Sequence, residues 1–417
     1  MIVKIQPKDD RSTRGSRRSL VLEEAAKALN SRGVSQTSLT EIAERVGVSR
    51  AALYYYFEDQ QDLVFQSYRR SCEMFARRLN EATRAGGGTM TIIERFIDGM
   101  LSPEDAEFAS LSEAAFLRPA QRSTIFGLYE AILASIVDIL RTGARRGELR
   151  PCANIIVAQA IVGLISWIPM ARRWHTSDPL SDRDLIEAIK DALRVGIAKD
   201  RRAPLAYRSP DLSVRDVPID RIFDNDALAA AKQEALLASA SWLFNLKGID
   251  ATSLEEIALR VGVTKKVIYH NVGDKETLVV ACYRRTFKFY EANAARMAAY
   301  DGSRLAAVCA STHALAEASL RDDIAPLAPL GGFESLPAKV KNETQASSKH
   351  LMDTYIKAYT TGKREGSIRT VPARALLAIR PGFFQWLPKW YDMLAPLEPQ
   401  ATARELTELT RIGLLAL

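Results

Sequence analysis

One stretch of this chain occurs twice, and any fold it adopts has to accommodate two copies of the same local structure. Residues 37–57 read Thr37-Ser38-Leu39-Thr40-Glu41-Ile42-Ala43-Glu44-Arg45-Val46-Gly47-Val48-Ser49-Arg50-Ala51-Ala52-Leu53-Tyr54-Tyr55-Tyr56-Phe57. Residues 252–272 repeat the plan from Thr252-Ser253-Leu254, through Gly262-Val263-Thr264-Lys265-Lys266, to Tyr269-His270-Asn271-Val272. In the first copy Ser38 and Glu41 have capping-box spacing, so a helix is expected to start there with Leu39, Ile42, Ala43 and Val46 on one apolar face. Gly47 ends it, Val48 is expected to be buried in the turn, and Ser49 caps a second helix whose inner face is Ala52, Leu53 and Tyr56. Ser253 with Glu256, Gly262 and Thr264 repeat these roles. Two short helices joined by a glycine turn form a helix-turn-helix, which lets the second helix enter the major groove of DNA while the first crosses the backbone.

An ordinary helical corner has the same apolar pattern, so the polar positions must decide between the readings. Arg50, Tyr54 and Tyr55 in the first copy, and Lys265, Lys266, Tyr269 and His270 in the second, fall on the outer face of the second helix. A folding role is weakest there, and these side chains suit phosphates and base edges.

At these residues the sequence resembles the tetracycline-repressor (TetR) family of bacterial transcription regulators. The first copy matches the family pattern through Leu29, Gly33, Thr37 to Leu39, Ile42-Ala43, Gly47-Val48-Ser49, Leu53-Tyr54-Tyr55 and Phe57. The second matches through Phe244, Gly248, Thr252 to Leu254, Ile257-Ala258, Gly262-Val263, Tyr269-His270 and Asp274-Lys275-Glu276-Thr277-Leu278. The DNA-binding residues this implies are Thr37, Ser38, Ser49, Arg50, Ala51, Tyr54 and Tyr55, and in copy two Thr252, Ser253, Thr264, Lys265, Lys266, Tyr269, His270 and Lys275. The copies depart from the pattern in different places. Gln60 stands where the family has a phosphate-contacting Lys, and Asn271-Val272 replace the aromatic pair that supports the recognition helix.

Composition sets outer bounds. The 417 residues allow two to four domains, and a hydrophobic content of 47% is ample for buried cores. The net charge of +7 fits a polyanionic partner only modestly. Residues 223–279 carry six Lys and Arg against eight acids, so the placement of charge has to do what bulk charge does not. Cys72, Cys152, Cys282 and Cys309 show no C-x-x-C spacing, the pattern of a reduced, cytoplasmic protein. His175, His270, His313 and His350 have no ligand spacing, so no metal and no cofactor is expected. The apolar run Ile155 to Ala171 is interrupted by Gln159, Ser166 and Pro169, which reads as a core or interface helix rather than a membrane span. The chain has no P-loop, G-x-S-x-G, H-E-x-x-H or dinucleotide fingerprint, so it is not expected to be an enzyme.

In chain order, residues 1–13 form a basic arm with Lys4, Lys8 and Arg11, either disordered or reaching into a minor groove. Residues 14–66 are the first helix-turn-helix domain, with a first helix at Leu20–Ser31, and Asp59–Leu79 is a helix leaving it. Residues 67–198 form an all-α domain with helices expected at Ile92–Leu101, Asp105–Leu117, Pro119–Arg146, Ala153–Trp174 and Asp182–Ala198. A linker at 199–222 leads to a second helix-turn-helix domain, 223–281, and a second helical domain, 282–417.

The repeat extends beyond the DNA-binding units. Arg141 to Arg150 corresponds to Thr360 to Arg369, Trp167-Ile168-Pro169 to Trp386-Leu387-Pro388, and Arg194-Val195-Gly196 to Arg411-Ile412-Gly413. The expected fold class is therefore all-α: two tandem TetR-like units, each a three-helix DNA-binding domain followed by a helical effector and dimerisation domain.

The resembled family acts as twofold dimers whose last two helices form a four-helix bundle, setting the recognition helices roughly 34 to 36 Å apart. A fused pair can make that bundle within one chain. Ile155–Trp174, Arg374–Met393, Asp182–Ala198 and Ala401–Leu415 are its expected helices, unless these pack only within their own halves. Two chains pairing as a homodimer is the other open arrangement. The family also implies a small-molecule effector among the helices, with Phe116, Tyr129, Trp167 and Trp174 in the first half and Phe383, Trp386, Trp390 and Tyr391 in the second as candidate lining. The expected function is sequence-specific binding of double-stranded DNA as a ligand-responsive repressor. A protein that keeps the fold but has lost one or both DNA-binding units is the alternative.

Overall fold

A computed structural model describes residues 10–34, 36–102, 106–174, 180–212, 224–328, 333, 336–390 and 398–417, with backbone alone at 10–16, 173–174 and 390. The first half consists of α1 (Asp10–Arg32), α2 (Leu39–Val46), α3 (Arg50–Tyr54), α4 (Gln60–Arg84), α5 (Thr89–Leu101), α6 (Pro119–Arg145), α7 (Asn154–Trp174) and α8 (Asp182–Val195). The second repeats the order with α9 (Asn225–Lys247), α10 (Leu254–Arg260), α11 (Lys265–Asn271), α12 (Lys275–Ala298), α13 (Arg304–Leu320), α14 (Ala338–Glu365), α15 (Ala373–Ile379), α16 (Leu387–Trp390) and α17 (Pro399–Ile412). Among the described residues there are no strands, only two isolated β-bridges.

Several local expectations are corrected. The first helix begins at Asp10, so residues 10–13 are helical rather than a loose arm; Lys4 and Lys8 lie outside the described residues. Ser38 occupies the N-cap of α2 without accepting a cap hydrogen bond, and the Glu41 carboxylate accepts from Arg32 and Arg45 instead of the Ser38 N–H. In copy two the capping box does form, with Ser253 and Glu256 bonding each other's backbone N–H. Ser49 caps α3 by accepting from the Ala52 N–H, whereas the Thr264 side chain makes no cap bond, and Val48 is half-buried rather than enclosed. Gly47, at φ 72°, takes the left-handed conformation and returns its N–H to Ala43 and Glu44, which stops α2 where the pattern required.

The helix expected at Asp105–Leu117 is absent. Residues 106–111 form no regular secondary structure, Ser112 and Glu113 make a turn, and only Ala114–Phe116 form a single 3-10 turn. Their backbone is engaged by side chains of neighbouring helices, which competes directly with helix formation. The helix expected at Arg374–Met393 is likewise broken, into α15, a 3-10 turn at Arg380–Phe383, and α16. Pro381 has no N–H to continue α15, and the chain turns there. The equivalent α7 continues through Trp174 and tolerates Pro169 inside it.

Both halves pack into one continuous core through α7 and α8 of the first against α15, its 3-10 turn and α17 of the second. The contacts are reciprocal. Leu149 bridges Leu415, and its counterpart Ile368 bridges Ala198. Arg150 donates from Nε to the Gly413 carbonyl at 2.7 Å and pairs with Glu405; Arg369 donates from Nε to the Gly196 carbonyl at 2.7 Å and pairs with Asp191. The segments expected to form an intrachain bundle thus pack across the two halves, with Arg374–Met393 broken, while α17 also packs on α13 of its own half. Helices α6 and α7 are apolar and long enough to cross a membrane, but α7 is almost wholly enclosed by protein.

Two glycine pairs permit this approach. A Cβ on Gly163 would stand 2.4 Å from the Gly382 carbonyl oxygen, and Gly382 in turn faces the Leu164 Cα. Gly196 (φ 62°) and Gly413 (φ 65°) face each other's flanking backbone in the same reciprocal way, a Cβ on either standing 2.5 Å from it. Gly163→Ala is expected to lower the unfolding free energy by about 1–3 kcal/mol, the usual cost of overpacking, measured by urea denaturation. Gly127→Ala on α6, where a Cβ meets nothing within 4 Å, is the matched control and is expected to stabilise by about 0.5–1 kcal/mol.

Candidate nucleic-acid interface

Each recognition helix is held from behind by a small apolar cluster. In copy one Leu53 and Phe57 are buried with Leu22, Ala25, Ile42 and Leu63, and enclosing a ring such as Phe57 contributes about 1.5–3 kcal/mol. In copy two Ile268 and Val272 take these places beside Ile257 and Leu278. Val272 thus occupies the position of Phe57, so the loss of the aromatic pair is met by a smaller apolar residue and the helix stays anchored.

On the outer faces Ser49, Arg50, Ala51, Tyr54 and Tyr55, and in copy two Thr264, Lys265, Lys266, Tyr269 and His270, are exposed. The cation and the following tyrosine form the same unit in both copies. The Arg50 guanidinium lies 5.7 Å from the Tyr54 ring centroid and donates to its hydroxyl at 3.1 Å; the Lys265 amine lies 5.7 Å from the Tyr269 ring. Their electrostatics differ. Lys265 also bonds Glu255 at 2.5 Å, which raises the amine above its ordinary value and lowers the carboxyl. Copy one has Thr40 at the place of Glu255, so Arg50 has no such acid beside it.

Thr37 and Thr252 are not where a DNA contact needs them. Both are buried, and their hydroxyls donate to the carbonyls of Gly33 at 2.6 Å and Gly248 at 2.8 Å, closing the turn after the first helix. Ser38 is exposed and Ser253 half-buried. Gln60, read as a lost phosphate contact, donates from Nε2 to the Val34 and Thr37 carbonyls, both at 2.9 Å. The equivalent Lys275 reaches the same connection, donating to the Asp250 carbonyl at 3.2 Å. The two residues serve the same turn, which sequence comparison alone did not reveal.

What sequence reading missed is how these units are fixed to the helical core. Near the end of α1 the buried Asn30 donates to the Phe108 carbonyl and accepts from the Ser110 N–H, while Ser71 on α4 accepts from Ala109. The second half repeats the clamp: Asn245 donates to the Pro326 carbonyl and accepts from Ala328, and Thr286 accepts from Leu327. An asparagine in the last turn of an otherwise apolar helix was the available signal. Between the two units lies Glu113. Its carboxylate accepts from the Val34 N–H at 2.5 Å and lies against both Gly33 and the equivalent Gly248. Burial pushes its carboxyl above the usual range. Lys389, whose amine burial lowers to about 8, donates to the Ser112 carbonyl at 2.6 Å and the Asn245 carbonyl at 3.2 Å.

Of the candidate effector residues, Trp167 lines a cavity among α7, α12, α13, α14 and the 3-10 turn of the second half. Tyr129, Phe383 and Trp386 are core residues, and Phe116 is half-buried beside the first half's non-helical segment. The side chains of Trp174 and Trp390, and Tyr391, lie outside the described residues. Because the Thr37 hydroxyl satisfies a buried carbonyl, Thr37→Val is expected to cost about 1–3 kcal/mol of stability, read as a lowered thermal midpoint.

The model of the tetR family of bacterial regulatory proteins matches residues 21–66 and again 236–282, and that of the tetracyclin repressor-like C-terminal domain matches 90–197. The transcriptional repressor BepR of Brucella suis is 48% identical over 168 residues, covering 36% of this chain and 80% of BepR. The transcriptional repressor KstR2 of Rhodococcus jostii is 22% identical over 174 residues, covering 40% of this chain and 84% of that repressor. Among solved structures, AibR in complex with isovaleryl coenzyme A and operator DNA aligns with 19% identity over 42% of this chain and 96% of AibR, at a TM-score of 0.36. With two matches to the DNA-binding domain, the repeated helix-turn-helix and relatives that are transcription regulators, the chain belongs to the TetR family of bacterial regulatory proteins.

Proposed function

We propose that this regulator is a ligand-responsive repressor that binds an imperfectly palindromic operator as a single-chain pseudo-dimer in the cytoplasm. The observation that carries the reading is the reciprocal packing of the two halves, which gives one chain the twofold arrangement that two identical chains otherwise supply. On this reading residues 14–66 and 223–281 are the two DNA-binding units, 67–198 and 282–417 their effector and pairing domains, and 199–222 the covalent link. A small molecule bound among the helices biases the relative placement of the recognition helices, and it lowers operator affinity only by the difference in its affinity for the two arrangements.

The two readers differ chemically. Arg50 carries the guanidinium fork that suits a bidentate guanine contact, while copy two offers Lys266 and His270 beside a lysine shared with Glu255. That carboxylate also favours the rival in which copy two has lost DNA binding, and the half-sites distinguish these readings. Arg50→Ala is expected to relax sequence preference in one half-site only, and Lys265→Ala with Lys266→Ala in the other only, each base contact being worth about 1–3 kcal/mol. Footprinting with light scattering reads both outcomes. Protection of a single half-site identifies copy two as degenerate, whereas a dimer of chains on a symmetric footprint overturns the pseudo-dimer.

Operator affinity is also expected to fall with salt by a log–log slope of about −0.9 per phosphate neutralised. A slope near zero in a gel-shift or anisotropy titration counts against DNA binding through these faces.

A further inference from the structure

We infer that the effector is a compact apolar carboxylate, bound once per chain in the second half with its charge on Arg380; this rests on the ligand-responsive reading above. The cavity measures about 140 Å³, roughly what accommodates a benzene ring. Phe287, Leu315, Met352, Phe384 and Trp167 supply apolar walls, and Arg380 and Gln385 reach it from the 3-10 turn and the residues after it.

Arg380 is only 7% exposed. Its guanidinium stacks 4.2 Å from the Tyr355 ring centroid, and Nη2 donates to the Thr312 hydroxyl at 3.1 Å and the Ser311 hydroxyl at 3.5 Å. Its Nε has no hydrogen-bond partner, and the carbonyl oxygen of the Gln385 side chain has none either. The other arginines buried among the described residues, Arg150 and Arg411, each hold a carboxylate, Glu405 and Glu408. No described carboxylate pairs with Arg380. A guanidinium cannot shed its proton to escape burial, so an enclosed arginine calls for an anion. The planar fork matches a carboxylate, and an apolar body of about ring size fills the remaining space.

The site is single because the halves differ here. Arg380-Pro381-Gly382 corresponds to Ile161-Val162-Gly163, which continues as regular helix and brings no cation. Pro381 both breaks the helix and lines the cavity. The broken segment also links the ligand to the DNA-binding units, since it leads from Arg380 to Lys389, which holds the backbone beneath both.

Calorimetry on the full chain tests this with phenylacetate, hexanoate, neutral phenylacetamide and inorganic phosphate. Phenylacetate is expected to bind at one site per chain and at least tenfold more tightly than phenylacetamide, with no binding of phosphate, which shares the charge but lacks the apolar body. Arg380→Met is expected to abolish the preference of acid over amide. Equal binding of acid and amide by the wild-type protein, no binding of either carboxylate, two equivalent sites, or a preference that survives Arg380→Met each overturns the assignment. The wild-type comparison decides even if the variant fails to fold. A gel shift run alongside separates the two claims: carboxylate binding that leaves operator affinity unchanged removes the regulatory reading and leaves the site standing.

Discussion

The structure depends on close backbone contact between its two halves. Gly163 meets Gly382, and Gly196 and Gly413 meet each other's flanking peptides, at separations that no side chain beyond hydrogen could occupy. Around these crossings Trp167 donates from its indole to the Ala378 carbonyl at 2.7 Å, and buried Arg150 finds both a carboxylate and a carbonyl in the opposite half. A contact of this kind is satisfied at one relative position only, because sliding it would leave a buried charge and several peptide groups without partners. The relative placement of the two DNA-binding units follows from that register.

Duplication gave the halves the same plan and fusion allowed them to diverge. In a homodimer any change appears on both sides of the dyad; in one chain each position is independent. Glu255 near Lys265 where the first half has Thr40, Val272 for Phe57, and Arg380-Pro381 for Ile161-Val162 are all differences between the halves. The last is the largest in its consequences, since a 3-10 turn with a cavity and a buried guanidinium, its Nε without a hydrogen-bond partner, stands where the first half has a turn of buried helix.

The ties between the helical core and the DNA-binding units are polar. Each unit is clamped by an asparagine that exchanges hydrogen bonds with a non-helical segment of the core, and the carboxylate of Glu113 lies against the same glycine in both. These clamps use backbone groups that a continuous helix would have consumed internally, so the irregularity of residues 106–112 is what connects the layers. Lys389 adds a second tie from the opposite half.

Much of this was legible in the sequence. Apolar periodicity, glycine stops and the repetition of Thr37–Phe57 at Thr252–Val272 determined two helix-turn-helix units in an all-α chain, because those signals are local and each carries its own geometry. The exposure of the candidate readers Arg50, Tyr54, Lys265 and Tyr269 followed from the same helical spacing. Tertiary structure decided the rest. Whether Thr37 meets DNA or a buried carbonyl, whether Gln60 is a lost contact or a working one, and whether residues 106–117 form a continuous helix all depend on partners far away in the chain. Arg380 is the clearest case. Its sequence neighbourhood resembles a helix end, and only the packing of α12, α13 and α14 around it shows a guanidinium enclosed with no described carboxylate beside it, a property that belongs to the arrangement of several helices and to no single segment.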